Sequence, residues 1–127
     1  MYILIDTHIL LWSLYNTDKL SENTKRLLED DNVIKYVSLA SIWEIEIKHS
    51  IGKLDFKGSD VLSDAESGGY KILDIKKEHI YKLSSLELIH RDPFDRLIIC
   101  QAESEHLHLI TSDEKIKEYK KDFVIMN

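Results

Sequence analysis

The sequence predicts an α/β fold in which a parallel sheet lies between two layers of helices. Three observations predict it. Short runs of β-branched and aromatic residues alternate with helical patterns along the chain. The first run is apolar almost throughout, as strands buried on both faces are. The segments between the runs carry their own helix start and stop signals.

Taken in order, residues 2–5 (Tyr-Ile-Leu-Ile) form the first apolar run, and Asp6 opens a helical pattern with Ile9, Leu10 and Trp12. Ser21 suits the N-cap of a second helix, which runs to about Asp30 with Leu27 and Leu28 toward the core. Residues 33–37 read as the next strand. Residues 41–48 fit two patterns. Trp43, Ile45 and Ile47 alternate with charged residues as in a half-buried strand, whereas Leu39, Ile42, Trp43 and Ile47 form a helical stripe. Ser41 and Glu44 have capping-box spacing and Gly52 supplies a stop, which favours the helix. Residues 59–66 form a further helix closed by Gly68-Gly69, residues 70–73 a third strand, and residues 76–86 another helix. The sharpest start signal is Asp92-Pro93-Phe94-Asp95: Asp92 suits the N-cap, and Pro93 the first helical position, where its missing N–H costs nothing. That helix continues through Leu97, Ile98, Gln101 and Ala102 toward Glu105. A strand at 107–111, a short helix at 113–119 and a last strand at 123–126 complete a three-layer α/β/α domain spanning residues 1–127, with no repeat and no linker.

Composition narrows the function classes. At 43% hydrophobic and 31% charged residues the chain is neither disordered nor fibrous. Its 23 acidic residues outnumber 17 Lys and Arg, for a net charge of −6. Nucleic-acid binders usually carry a basic excess, so any nucleic-acid ligand would be held by local basic residues and by cations bound to carboxylates. Cys100 is the only cysteine, so no intrachain disulfide forms and a reducing cytoplasm is expected; its side chain reads as a small buried apolar group. Asp6 and His8 interrupt the apolar N-terminus, which is neither a signal peptide nor a membrane span.

In a parallel sheet, functional groups gather beyond the carboxyl ends of the strands. Asp6 follows the first strand, Glu44 lies in the helix after the second, Asp92 and Asp95 share one helix start, and Asp113 follows the fourth strand. Each acid has a plain alternative, since Asp and Glu are favoured at helix N-termini as caps. Their coincidence at one edge is what points to chemistry. Crowded carboxylates repel and raise one another's pKa unless a cation neutralises them, and oxygen ligands suit Mg²⁺ or Mn²⁺ better than zinc.

Leu4-Ile5-Asp6-Thr7-His8, Ser41-Ile42-Trp43-Glu44, His90-Arg91-Asp92-Pro93-Phe94-Asp95-Arg96-Leu97 with Gln101-Ala102, and Thr111-Ser112-Asp113 together resemble the ordered motifs of PIN domains. They are most similar to the VapC-type toxin ribonucleases of type II toxin–antitoxin modules. The resemblance implies a parallel five-stranded sheet, a Mg²⁺ or Mn²⁺ site, cleavage of single-stranded RNA, a cognate antitoxin and a homodimer. By that match Asp6, Glu44, Asp95 and Asp113 are the acidic site, with Asp92 either a further ligand or only an N-cap. Thr7, Ser112 and Arg96 match as supporting or phosphate-contacting residues.

The six histidines show no metal-binding spacing, although His90 abuts the acidic motif. Trp12 and Trp43 read as core residues, and the basic run 115–121, with Tyr119, reads as a solvated helix face or an RNA-backbone track. Three functions stay open: an endoribonuclease toxin held inactive by a partner, a nuclease of RNA processing or DNA metabolism without an antitoxin, and a non-catalytic binding module whose acids are only caps.

Overall fold

A computed structural model of the chain describes all residues from Met1 to Asn127. Five strands, β1 (Tyr2–Ile5), β2 (Ile34–Ser38), β3 (Lys71–Leu73), β4 (His108–Thr111) and β5 (Val124–Met126), form one sheet in the order β3-β2-β1-β4-β5. Every neighbouring pair is parallel, and Ile5 stands level with Val37 on one side and Ile110 on the other. Parallel strands need crossover connections, here helices α1 (Thr7–Tyr15), α2 (Glu22–Glu29), α3 (Leu39–Ser50), α4 (Gly58–Ser67), α5 (Lys77–Leu83), α6 (Pro93–Ser104) and α7 (Glu114–Lys117).

The chain walks from β1 outward to β3, then returns to lay β4 against the free side of β1. The strand order reverses between β1 and β4, and that reversal opens a crevice beyond their carboxyl ends. Alternation along the strands divides the core in two. Ile3, Ile5, Val37 and Ile110 pack with Ile9, Leu10, Leu28, Ile42, Ile45 and Val61 from α1 to α4. Leu4, Leu73 and Leu109 face the other way, against Ile98, Ile99 and Ala102 of α6 and Ile116 of α7. Three layers result, as the alternating patterns imply. No helix is long and apolar enough to cross a membrane.

The structure departs from the sequence reading at several points. Residues 41–48 are helical, but α3 starts at Leu39. Its N-cap is Ser38, whose Oγ accepts from the Ala40 amide at 3.0 Å and donates to Gln101 Oε1 at 2.5 Å. Ser41 therefore lies inside the first turn with a buried, unpartnered hydroxyl, and the Ser41–Glu44 capping box does not form. Trp43 is 57% exposed rather than core. Ile42 and Ile45 define the buried line of α3, and Trp43 stands about 100° round the helix from Ile42, with its ring edge-on to Phe94 at 5.2 Å. Helix α5 stops at Leu83, three residues before the expected end. The expected helix at 113–119 shrinks to one turn. Tyr119 is buried and its hydroxyl accepts from the His90 amide at 2.9 Å, so it offers no face to a base. Cys100 is buried as expected, and burial pushes its thiol pKa up.

Candidate active site

Asp6 leaves the end of β1 as the N-cap of α1 and is only 2% exposed. One carboxylate oxygen accepts from the Ile9 amide at 2.9 Å, and the other accepts from Thr111 Oγ1 at 2.5 Å. Burial raises its pKa, the Thr111 and Ile9 hydrogen bonds and His8 oppose the rise, and the charge of Asp113 adds to it. Thr111 closes β4 and links two acids, since its Oγ1 also accepts from the Asp113 amide at 3.0 Å.

Thr7 and Glu44 come together although they lie 37 positions apart. Thr7 Oγ1 donates to Glu44 Oε1 at 2.6 Å, and Lys48 Nζ donates to Oε2 at 2.8 Å. The Glu44 carboxylate is thus buried and bonded on both oxygens. Freed from a capping box, it is turned to the crevice by the α3 backbone, with Lys48 one turn further on the same face. The hydrogen bond to Glu44 raises the Lys48 pKa; burial opposes this, and the charges of Glu44, Asp92 and Asp95 reinforce it. The ammonium therefore feels acids from both α3 and α6.

Asp92 caps α6: its Oδ1 accepts from the Phe94 amide at 2.8 Å and from the Asp95 amide at 3.2 Å. Asp95, in the first turn, faces the crevice. Its pKa is pushed up to about 8, by burial first and then by the charges of Asp92, Asp6, Glu44 and Asp113. That set of neighbours is the physical signature of convergence: acids from three other segments, with Asp92 of its own, bear on one carboxyl group.

Asp113 caps α7, with Oδ1 accepting from the Lys115 amide at 2.8 Å. Its Oδ2 lies 2.8 Å from His90 Nε2, which is also 2.9 Å from Asp95 Oδ2. Burial pushes the Asp113 pKa up, but hydrogen bonds from His90, the Lys115 amide and Asp95, with the charge of His90, carry it below the ordinary value. His90 Nδ1 accepts from the Asp92 amide at 3.2 Å, so a neutral ring carries its hydrogen on Nε2 and donates toward both carboxylates.

Ser112 is half-buried between Thr111 and Asp113. Arg96 turns away from the acids. Its guanidinium donates to the carbonyls of Glu87 (2.9 Å), His90 (3.4 Å) and Leu86 (3.4 Å) and to Tyr119 Oη (3.2 Å), which pins the segment that leads into Asp92. The roles of Lys48 and Thr111 are what reasoning from the sequence passed over, although Thr111 stands in the Thr111-Ser112-Asp113 motif. The spacing of Glu44 and Lys48 is a helical ion-pair spacing, and the position of Thr111 beside Asp6 follows only from the β1–β4 pairing.

The donor set fits a divalent cation. One ligand atom from each of His90, Asp95 and Asp113 lies within 4.8 Å of the others, and the surrounding charges leave Asp95 unfavourable to ionise unless positive charge arrives.

Solved structures share this architecture. VapBC2 from Rickettsia felis, bound to a DNA fragment from its promoter, matches with a TM-score of 0.71 and 19% identity, covering 100% of this chain and 98% of that one. A toxin–antitoxin complex from Klebsiella pneumoniae matches at 0.65 and 20% identity, covering 97% and 95%. FitAcB from Neisseria gonorrhoeae matches at 0.61 and 16% identity, covering 99% and 96%. No curated protein matches the sequence significantly. A family model described as PIN domain matches residues 3–122, nearly the whole chain, and the chain belongs to that family.

Proposed function

We propose that the chain is a Mg²⁺- or Mn²⁺-dependent endoribonuclease that hydrolyses single-stranded RNA and serves as the toxin of a type II toxin–antitoxin module. The observation that carries this reading is the acid cluster itself, in which Asp95 is pushed up to about 8 by burial and by the charges of Asp92, Asp6, Glu44 and Asp113. Caps alone give no reason to crowd carboxylates from four segments in one crevice, since each acid destabilises the others. Asp95 and Asp113 stand open to a cation, with side chains 16% and 30% exposed and no Lys or Arg paired to them. A bound divalent cation supplies an activated water and neutralises the leaving oxygen in phosphodiester hydrolysis. Asp6 and Glu44, each fixed on both oxygens, keep the crevice negative and orient what enters it. Asp92 contributes charge and caps α6, while Thr7 and Ser112 support the acids. Arg96 works through the loop it pins.

The toxin reading draws on family membership and on architectural neighbours that include a toxin–antitoxin complex. A cognate antitoxin would mask the crevice by inserting an Arg or Lys against the carboxylates, and its basic segment would be steered by the net charge of −6. A homodimer and a cytoplasmic location complete the proposal. Purified chain should cut single-stranded RNA in Mg²⁺ or Mn²⁺, lose activity in chelator, and lose it in Asp6→Asn and Asp95→Asn. Co-expression with the adjacent open reading frame should restore growth. Cleavage of DNA alone would overturn the RNA reading, and a neighbour that neither binds nor rescues would leave a processing nuclease.

A further inference from the structure

We infer that Lys48 is the cationic side chain through which this site holds the phosphodiester of its substrate; the inference rests on the ribonuclease reading. A phosphate approaching the crevice meets five carboxylates, so positive charge from the chain itself must lie close by. Lys48 meets that need. Its Nζ is 2.8 Å from Glu44 Oε2, on the acid of α3 that faces the crevice, and it carries its charge within reach of the charges of Asp92 and Asp95. Glu44 takes one of the three ammonium protons, the only hydrogen bond the Lys48 side chain makes, so two remain for phosphate oxygens. Its side chain is 37% exposed, against 5% for Glu44, so the head group is reachable from solvent while its partner is not.

Three other nitrogen-bearing side chains near the acids are already engaged. Arg96 is bonded to four acceptors in the loop and on Tyr119. His90 Nε2 faces two carboxylates, and Lys115 pairs outward with Glu118 at 3.8 Å. The pairing with Glu44 gives Lys48 a fixed position, because Glu44 is itself held by Thr7 from α1.

The test is the salt dependence of kcat/KM for a fluorescein-labelled single-stranded RNA in Mn²⁺, measured for wild type, Lys48→Met and Lys48→Arg. Each phosphate neutralised on a single strand adds about 0.7 to the steepness of log affinity against log salt. Lys48→Met should be shallower by that amount, with KM raised roughly 10-fold at low salt, while Lys48→Arg keeps the wild-type slope. Should Lys48→Met fail to fold by circular dichroism, Lys48→Gln keeps a donor to Glu44 without the charge and carries the same test. Mn²⁺ affinity, read by calorimetry without RNA, should not weaken in the variant. An unchanged slope together with weakened Mn²⁺ binding would make Lys48 a prop for Glu44 only and would overturn the inference. Wild-type chain that cuts no RNA would overturn the nuclease reading along with it.

Discussion

In chelator the acid cluster should make the fold lose stability as pH rises through the neutral range, the reverse of ordinary carboxylate behaviour. Asp95 has a folded pKa of about 8 against an ordinary value of 3.8. Between those values the folded chain holds one proton more than the unfolded chain. Stability therefore falls with rising pH by about 1.4 kcal/mol per unit from this group. From pH 5.5 to 7.5 the loss is about 3 kcal/mol, or roughly 10 °C in Tm for a chain of this size. Asp6, raised by burial, acts in the same direction. Asp113 and Glu105 are lowered, and the stability they contribute is lost only as pH falls below about 4, outside the window. Thermal melts in EDTA at pH 5.5, 6.5 and 7.5 measure the slope directly. Asp95→Asn should flatten it, and Mn²⁺ should raise Tm more at pH 7.5 than at 5.5. A wild-type Tm that stays level or climbs across the window refutes the reasoning, as does an Asp95→Asn protein that keeps the wild-type slope.

Three further outcomes are expected. His90→Ala removes the donor shared by Asp95 and Asp113 and one of the three candidate ligands, so it should lower metal-free stability by about 1–2 kcal/mol and reduce the gain in Tm from Mn²⁺; melts with and without the ion check it. Gly58→Ala places a Cβ 2.8 Å from Glu46 Cβ and 3.0 Å from the Ile42 carbonyl, where α4 starts against α3, and should cost about 1–3 kcal/mol in urea unfolding. Asp113→Asn keeps a capping acceptor for the Lys115 amide and should abolish cleavage with little change in Tm, whereas Asp113→Ala should also lose about 1 kcal/mol.

Most of the fold was legible because its signals are local. The run at residues 2–5, the cap and proline at Asp92-Pro93, and the Ser21 N-cap each carry their information within a few residues, and each stands where expected. The misplacements share one cause: the deciding contact is distant in sequence. Ser38 and Ser41 both suit an N-cap, and Gln101, 63 positions from Ser38, accompanies the choice of Ser38. Residues 84–86 continue a helical pattern, yet the Leu86 carbonyl accepts from Arg96, ten positions on. Trp43 fits an apolar stripe, and only the packing of α3 by Ile42 and Ile45 leaves it outside. The acids were legible as a set, but Lys48 and the hydrogen bond of Thr111 to Asp6 were not, since both partnerships gain meaning only once β1, β4 and α3 are assembled.

The same assembly dissolves the opposition between cap and ligand. A carboxylate has two oxygens, and a cap needs one. Asp113 gives Oδ1 to the Lys115 amide and turns Oδ2 to His90; Asp92 takes both of its amide bonds on Oδ1, and Oδ2 makes no hydrogen bond. Capping fixes each side chain at a helix start without consuming its second oxygen, and the positive ends of α1 and α6 partly offset the charge gathered there. An exposed acid on a flexible loop would have neither benefit. A PIN domain can therefore hold several acids in one crevice before any cation arrives, because the interactions that orient the carboxylates also lower the cost of bringing them together.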